Sequence, residues 1–238
     1  MDNDTVLQPP MNVPAINTVA PGRSVEWIVG GFRIFMKSPG MWLLVGLGML
    51  LGTWIINLLL PSWLSGSVNT VLVIVLMGAC MKACAELDAG RDPLGAAQNV
   101  LQMQSLWVLG AIGAGLSLVV GIAGVALGVS SIGLMFVSPG MFFGFAGLAF
   151  LLILALSFAL GMALWLAPAL VVLNGVDPVQ AVKLSLAASL KNIVPYIVLC
   201  VLAMVAMIVG AIPFGLGLLV VFPALICTGY LAYKDLFA

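Results

Sequence analysis

Few side chains in this chain could do chemistry. Cys80 and Cys84 stand one helical turn apart, with Met77 and Met81 beside them. Soft sulfur ligands on one stripe are the pattern that holds copper(I). Thirteen methionines are spread through the chain, however, and the same stripe reads more simply as polarizable core filling. Cys200 and Cys227 also lie in apolar runs, so the four cysteines do not form a disulfide framework. Lys82 is the one ionisable residue set within an apolar run, and charges inside a membrane usually mark function. Glu86 follows four residues later, close enough on a helix to neutralise it.

The absences are as informative. There is no histidine, which removes the usual general base, the commonest metal ligand and any Ser-His arrangement. No pair of carboxylates falls inside an apolar run, and no Gly-rich phosphate loop leads into Lys and Ser/Thr. The expectation is a non-enzymatic chain with no cofactor and no bound metal.

The elements that carry these residues must live in lipid. Of 238 residues, 63% are hydrophobic and 7% charged, where a soluble domain carries about 25% charged residues. Net charge is zero, which argues against nucleic acid as a partner. A span needs about 20 apolar residues. Six segments qualify, at about 41–60, 68–85, 106–128, 145–173, 194–210 and 216–233. The expected fold is an all-α integral membrane protein, a single membrane domain over 24–238. Residues 1–23 are polar and contain proline, and read as a disordered tail. The fourth apolar run exceeds one crossing, so tilt or a re-entrant start around 132–143 would absorb the excess.

Three amphipathic helices are expected beside the spans. Val25, Ile28, Val29, Phe32, Phe35 and Met36 fall on one face of the first. Leu94, Ala97, Val100 and Leu101 mark the second, and Val179, Val182, Leu186 and Leu190 the third. Asp92-Pro93 and Asp177-Pro178 open the last two as cap and first helical residue. Each surface helix precedes two spans, so the chain reads as three copies of one unit. The alternative is that Asp-Pro is a generic helix start. Every Lys and Arg falls on one side of a six-span arrangement, which puts both termini in the cytoplasm. Arg33, Lys37, Lys183 and Lys191 are then candidates for lipid-headgroup contact. Glu86, Asp88, Arg91 and Asp92 form the densest charged patch and are the candidate docking site for a protein partner.

Five pieces of sequence carry a family resemblance. They are residues 25–35 with Pro39; residues 78–84 before Gly90 and Pro93; residues 167–171; Asp177-Pro178 with Ala181, Ser185, Asn192 and Pro195; and Tyr230-Leu231-Ala232-Tyr233-Lys234-Asp235-Leu236-Phe237. Their order and spacing resemble the BPSS-type family of uncharacterised bacterial six-span inner-membrane proteins, over nearly the whole chain after the tail. The resemblance implies a multi-pass protein of a bacterial inner membrane, and it brings no catalytic residues.

Two functions are then in view. The first is an accessory or assembly factor that works through a membrane-protein partner or a homo-oligomer. The alternative is a transporter or lipid-handling protein for an apolar substrate. An apolar cavity reaching mid-membrane favours the second, and a closely packed bundle the first.

Overall fold

The computed structural model describes residues 14–237, and every element among them is an α-helix. The order is α1 (Arg23–Lys37), α2 (Pro39–Leu59), α3 (Ser62–Asp88), α4 (Pro93–Leu101), α5 (Gln104–Val137), α6 (Pro139–Leu164), α7 (Ala167–Asn174), α8 (Pro178–Lys191), α9 (Ile193–Ala211) and α10 (Leu218–Phe237). Six stretches are long and apolar enough to cross a membrane: α2, α3, α5, α6 with α7, α9 and α10. Of the short amphipathic helices, α1 precedes the first span, and α4 and α8 lie between spans in the chain.

The helix ends follow local chemistry. Asp92 and Asp177 cap α4 and α8 through bonds to Leu94 N, and to Val179 N and Gln180 N, where free amides and the helix dipole favour a carboxylate. Gly90 and Gly175 take positive φ, 71° and 66°, which a residue without Cβ adopts at little cost. At Gly175 the reversal lets Val176 N reach Leu170 O, closing the end of α7.

α3 and α10 are the centre of the bundle. α3 packs against α2, α4, α5, α7 and α10, and α10 also packs against α1, α2 and α9. One buried cluster joins Ile74, Leu109, Leu170 and Ala181 across α3, α5, α7 and α8. The other joins Phe35, Trp42, Met81, Cys84 and Cys227 across α1, α2, α3 and α10.

Several expectations are corrected. The interval left between the expected spans 106–128 and 145–173 is helical: α5 continues to Val137 and α6 restarts at Pro139, leaving Ser138 as the hinge. No re-entrant segment occurs at 132–143, because in an apolar solvent the backbone keeps its helical bonds until proline forbids them. The fourth span is instead divided further along, at Trp165-Leu166 just before Pro168. The expected disordered tail, 1–23, lies partly outside the described residues. Within them, Asn17 N donates to Leu236 O at 2.9 Å and Val19 N to Asn192 Oδ1 at 2.9 Å, so this segment is tied to the ends of α8 and α10. Small residues recur every four positions in α5, and of these Gly113 and Ser117 pack on α3. Gly48, Gly121 and Gly128 would place a Cβ in open space.

The break before α7 is a polar node in the core. A helical Leu166 N would bond to Met162 O. Instead Ser185 of α8 stands between them, donating to Met162 O at 2.7 Å and accepting from Leu166 N at 3.2 Å. Ser189 accepts from Trp165 Nε1 at 2.7 Å. Buried backbone groups must be satisfied, and two serines on one face of α8 do it here.

That face shows how the surface helices are oriented. α8 buries Ala181, Leu184, Ser185, Ala188 and Ser189, and leaves Val179 and Leu190 exposed. α1 buries Trp27, Gly31, Ile34 and Phe35, and leaves Val25, Val29, Phe32 and Met36 exposed. The bulky apolar stripes of these surface helices face mainly outward, while Phe35 is buried and Ile28 and Val182 pack partly against the core. Lipid solvates the outward side, while small residues let the helix backbone approach the bundle closely.

Candidate functional site

The charged groups gather at one end of the bundle, where α3 and α10 finish and α1 meets α2. Glu86, only 7% exposed, receives Lys82 Nζ at 3.1 Å and Arg91 Nε at 2.5 Å. Asp88 receives Lys234 Nζ at 2.8 Å and Tyr230 Oη at 3.3 Å, and Lys37 Nζ donates to Leu87 O at 3.1 Å. Glu86 holds the Arg91 guanidinium above its ordinary pKa range by hydrogen bond and charge. The four residues expected to dock a partner are therefore engaged within the chain: Glu86, Asp88 and Arg91 in ion pairs, Asp92 in its cap. The sequence showed the cluster. It did not show that Lys37 and Lys234 arrive from other helices to match it.

A second ionic knot joins the chain ends. Asp235 Oδ2 accepts from Arg23 Nε at 2.9 Å and Trp27 Nε1 at 2.6 Å, and Arg23 also pairs with Glu26. Asp235, by hydrogen bond and charge, raises the Arg23 pKa. Of the four headgroup candidates, Lys37 is used as above and Lys191 Nζ donates to Ile16 O at 2.6 Å. Arg33 and Lys183 have no partner among the described residues.

The spans themselves leave a cavity of about 370 Å³ between α2, α3 and α4. Its lining contains no charged side chain and runs from Leu94 on the surface helix to Met49 and Leu72. Met49 is the midpoint of α2, so the space reaches mid-span. Gly48 and Leu94 are exposed at its edge. Trp42 lines it, fully buried, and its indole N–H has no hydrogen-bond partner. Trp42 stands one turn into α2. The structure buries it because α10 and α3 close over it.

A second cavity of about 370 Å³ lies on another face of α3, beside Gly161 and Trp165. Asn69 lines it, and its buried Oδ1 also lacks a partner. Only two buried side-chain N or O atoms among the described residues are unpartnered, and each belongs to a residue lining one of these cavities. The sulfur stripe expected at Cys80 and Cys84 gains a member the sequence did not indicate: Cys227 Sγ of α10 lies 3.2 Å from Cys84 Sγ. Among the described residues no group of three or more His, Cys, Asp or Glu side chains is placed to hold a metal.

Comparison of the chain with family models, curated proteins and solved structures finds no match.

Proposed function

We propose that this chain is a lipid-handling membrane protein, which takes the apolar chain of a membrane molecule into the cavity between α2, α3 and α4. The observation that carries the reading is that cavity: uncharged, reaching mid-span, and lined by a buried Trp42 whose N–H is unpartnered. A buried donor left unpaired costs about 1–3 kcal/mol, and a ligand carbonyl or ether oxygen would remove that cost. The reading is preferred to an accessory role because the charges offered for docking are spent within the chain. The reading is non-enzymatic: among the described residues the lining carries one nucleophile, Cys80, and no carboxylate, lysine or histidine to serve as its base.

On the resemblance above, we place the chain in the BPSS-type family and in a bacterial inner membrane. The distribution of Lys and Arg supports cytoplasmic termini. The test is lipid analysis by mass spectrometry of the full chain purified in nanodiscs, compared with Gly48→Phe and Trp42→Phe. A Cβ at Gly48 meets nothing within 4 Å, so the Phe ring can occupy the cavity without disturbing a helix contact. One lipid or isoprenoid class should be enriched in the parent and lost from Gly48→Phe. An unchanged lipid profile, with a stoichiometric protein partner in both samples, would restore the accessory reading.

A further inference from the structure

A notch of about 400 Å³ runs between α1 and α10 at the charged end of the bundle. Arg23, Glu26, Arg33 and Asp235 line it, with Val25 and Val29 at its apolar edge. Its charges are matched in number and separated in space. Arg23 is engaged by both Asp235 and Glu26, so one cation faces two carboxylates and that end keeps a formal excess of one negative charge. Arg33, at the other end, has no partner among the described residues. Glu26 and Arg33 are seven residues apart on one face of α1, two turns or ~10.5 Å along the axis.

A neutral notch with a cation at one end and a carboxylate at the other does not suit an anionic headgroup, which would meet the carboxylate excess. It suits a zwitterion. The exposed stripe of Val25, Val29, Phe32 and Met36 runs beside it, in the position where acyl chains would continue from a headgroup. We infer that this notch binds the headgroup of a phosphoethanolamine-type phospholipid, with its phosphodiester on Arg33 and its primary ammonium on Glu26. The guanidinium fork matches phosphate oxygens, and a primary ammonium has hydrogens to give a carboxylate. A quaternary choline would need an open aromatic face in the notch, and Trp27, the one aromatic residue that lines it, is buried with its N–H already bound to Asp235. The site is separate from the cavity beside Trp42 and stands or falls without it.

The experiment is native mass spectrometry of the full chain, offered equal amounts of phosphatidylethanolamine, phosphatidylglycerol and phosphatidylcholine with identical acyl chains. The expected result is retention of phosphatidylethanolamine over both others. Arg33→Gln should weaken that retention about tenfold, the loss of one charge-assisted bond. Glu26→Gln should erase the preference over phosphatidylglycerol. Soluble phosphoethanolamine should not displace the lipid. Equal retention of the three lipids, a preference for phosphatidylglycerol, or full retention by Arg33→Gln would overturn the assignment, as would displacement by the soluble headgroup. Should a variant fail to run as a monodisperse species, the three-lipid competition on the unmodified chain decides the matter alone.

Discussion

Replacing Gly31 by alanine puts a methyl group where α1 lies directly on α10. A Cβ there would sit 2.7 Å from Thr228 N and 2.8 Å from Ala224 O, and against Thr228 Oγ1 as well. Ordinary contact begins near 3.4 Å, so α1 must lift by roughly 0.6 Å or more, because two of the three atoms it meets are backbone that cannot turn aside. Overpacking of this kind costs about 1–3 kcal/mol, and alanine returns up to about 1 kcal/mol of helix propensity. The net expectation is a loss of about 1–2 kcal/mol. Gly30 provides the control one residue away. Its Cβ would meet the end of Leu231, Cδ1 at 2.5 Å and Cγ at 3.9 Å, a flexible side chain that can rotate away. Gly30→Ala should therefore be neutral, or stabilising by up to about 1 kcal/mol. Unfolding in mixed micelles by titrated SDS, followed by far-ultraviolet circular dichroism, measures the difference between the two variants. Equal midpoints, or Gly30→Ala the weaker, would refute the backbone-contact argument.

Further predictions test other parts of the fold. Ser185→Ala removes the bridge between Met162 O and Leu166 N, and should cost about 1–3 kcal/mol in the same titration. Ser189→Ala should cost less, because Met162 O keeps Ser185. Mild oxidation should join Cys84 to Cys227 before it modifies Cys200, since their sulfurs are 3.2 Å apart; differential alkylation with peptide mass spectrometry reads the pairing. Asp235→Asn weakens the anchor for Arg23 and Trp27, and should speed hydrogen exchange in α1 and the last turn of α10. Gly217→Ala should destabilise the α9–α10 turn, because its Cβ would lie 2.6 Å from Gly210 O.

What the sequence reveals here is what is decided locally. The centres of the spans follow from hydropathy, the starts of α4 and α8 from Asp-Pro, and the Lys82–Glu86 pair from helical spacing. Two kinds of feature escaped it. One is the inward face of α1 and α8: apolar periodicity finds the bulky stripe, and in a lipid solvent bulk no longer implies burial, so Gly31, Ser185 and Ala188 go inward beside Trp27, Ile34 and Leu184. The other is anything assembled from distant segments. Asp88 with Lys234, Asp235 with Arg23, and Cys84 with Cys227 join residues more than 140 positions apart, and no single-chain spacing rule reaches that far. The cavity beside Trp42 belongs to the same class, since it is space left by three helices rather than a property of any one. Ser130 and Ser131 lie beyond the apolar run that ends at 128, yet each donates to the carbonyl four residues back and stays helical.

The uninterrupted run of α5 has a consequence for the membrane itself. Its 34 residues, at ~1.5 Å each, make a rod of ~51 Å against a hydrocarbon layer of ~30 Å. Even the steepest tilts usual for such helices, about 40°, leave it too long. No charged residue lies between Asp92 and Asp177, and at the far tip Phe136 is 85% exposed with Val137 and Phe143 beside it. A tip of that character has no affinity for water. Kinking of the helix or a locally thickened bilayer must take up the difference, at a cost of fractions of a kcal/mol per Å of hydrophobic mismatch. A deeper hydrocarbon layer lowers that cost, so in a membrane of uneven depth the chain is expected to favour the thicker regions.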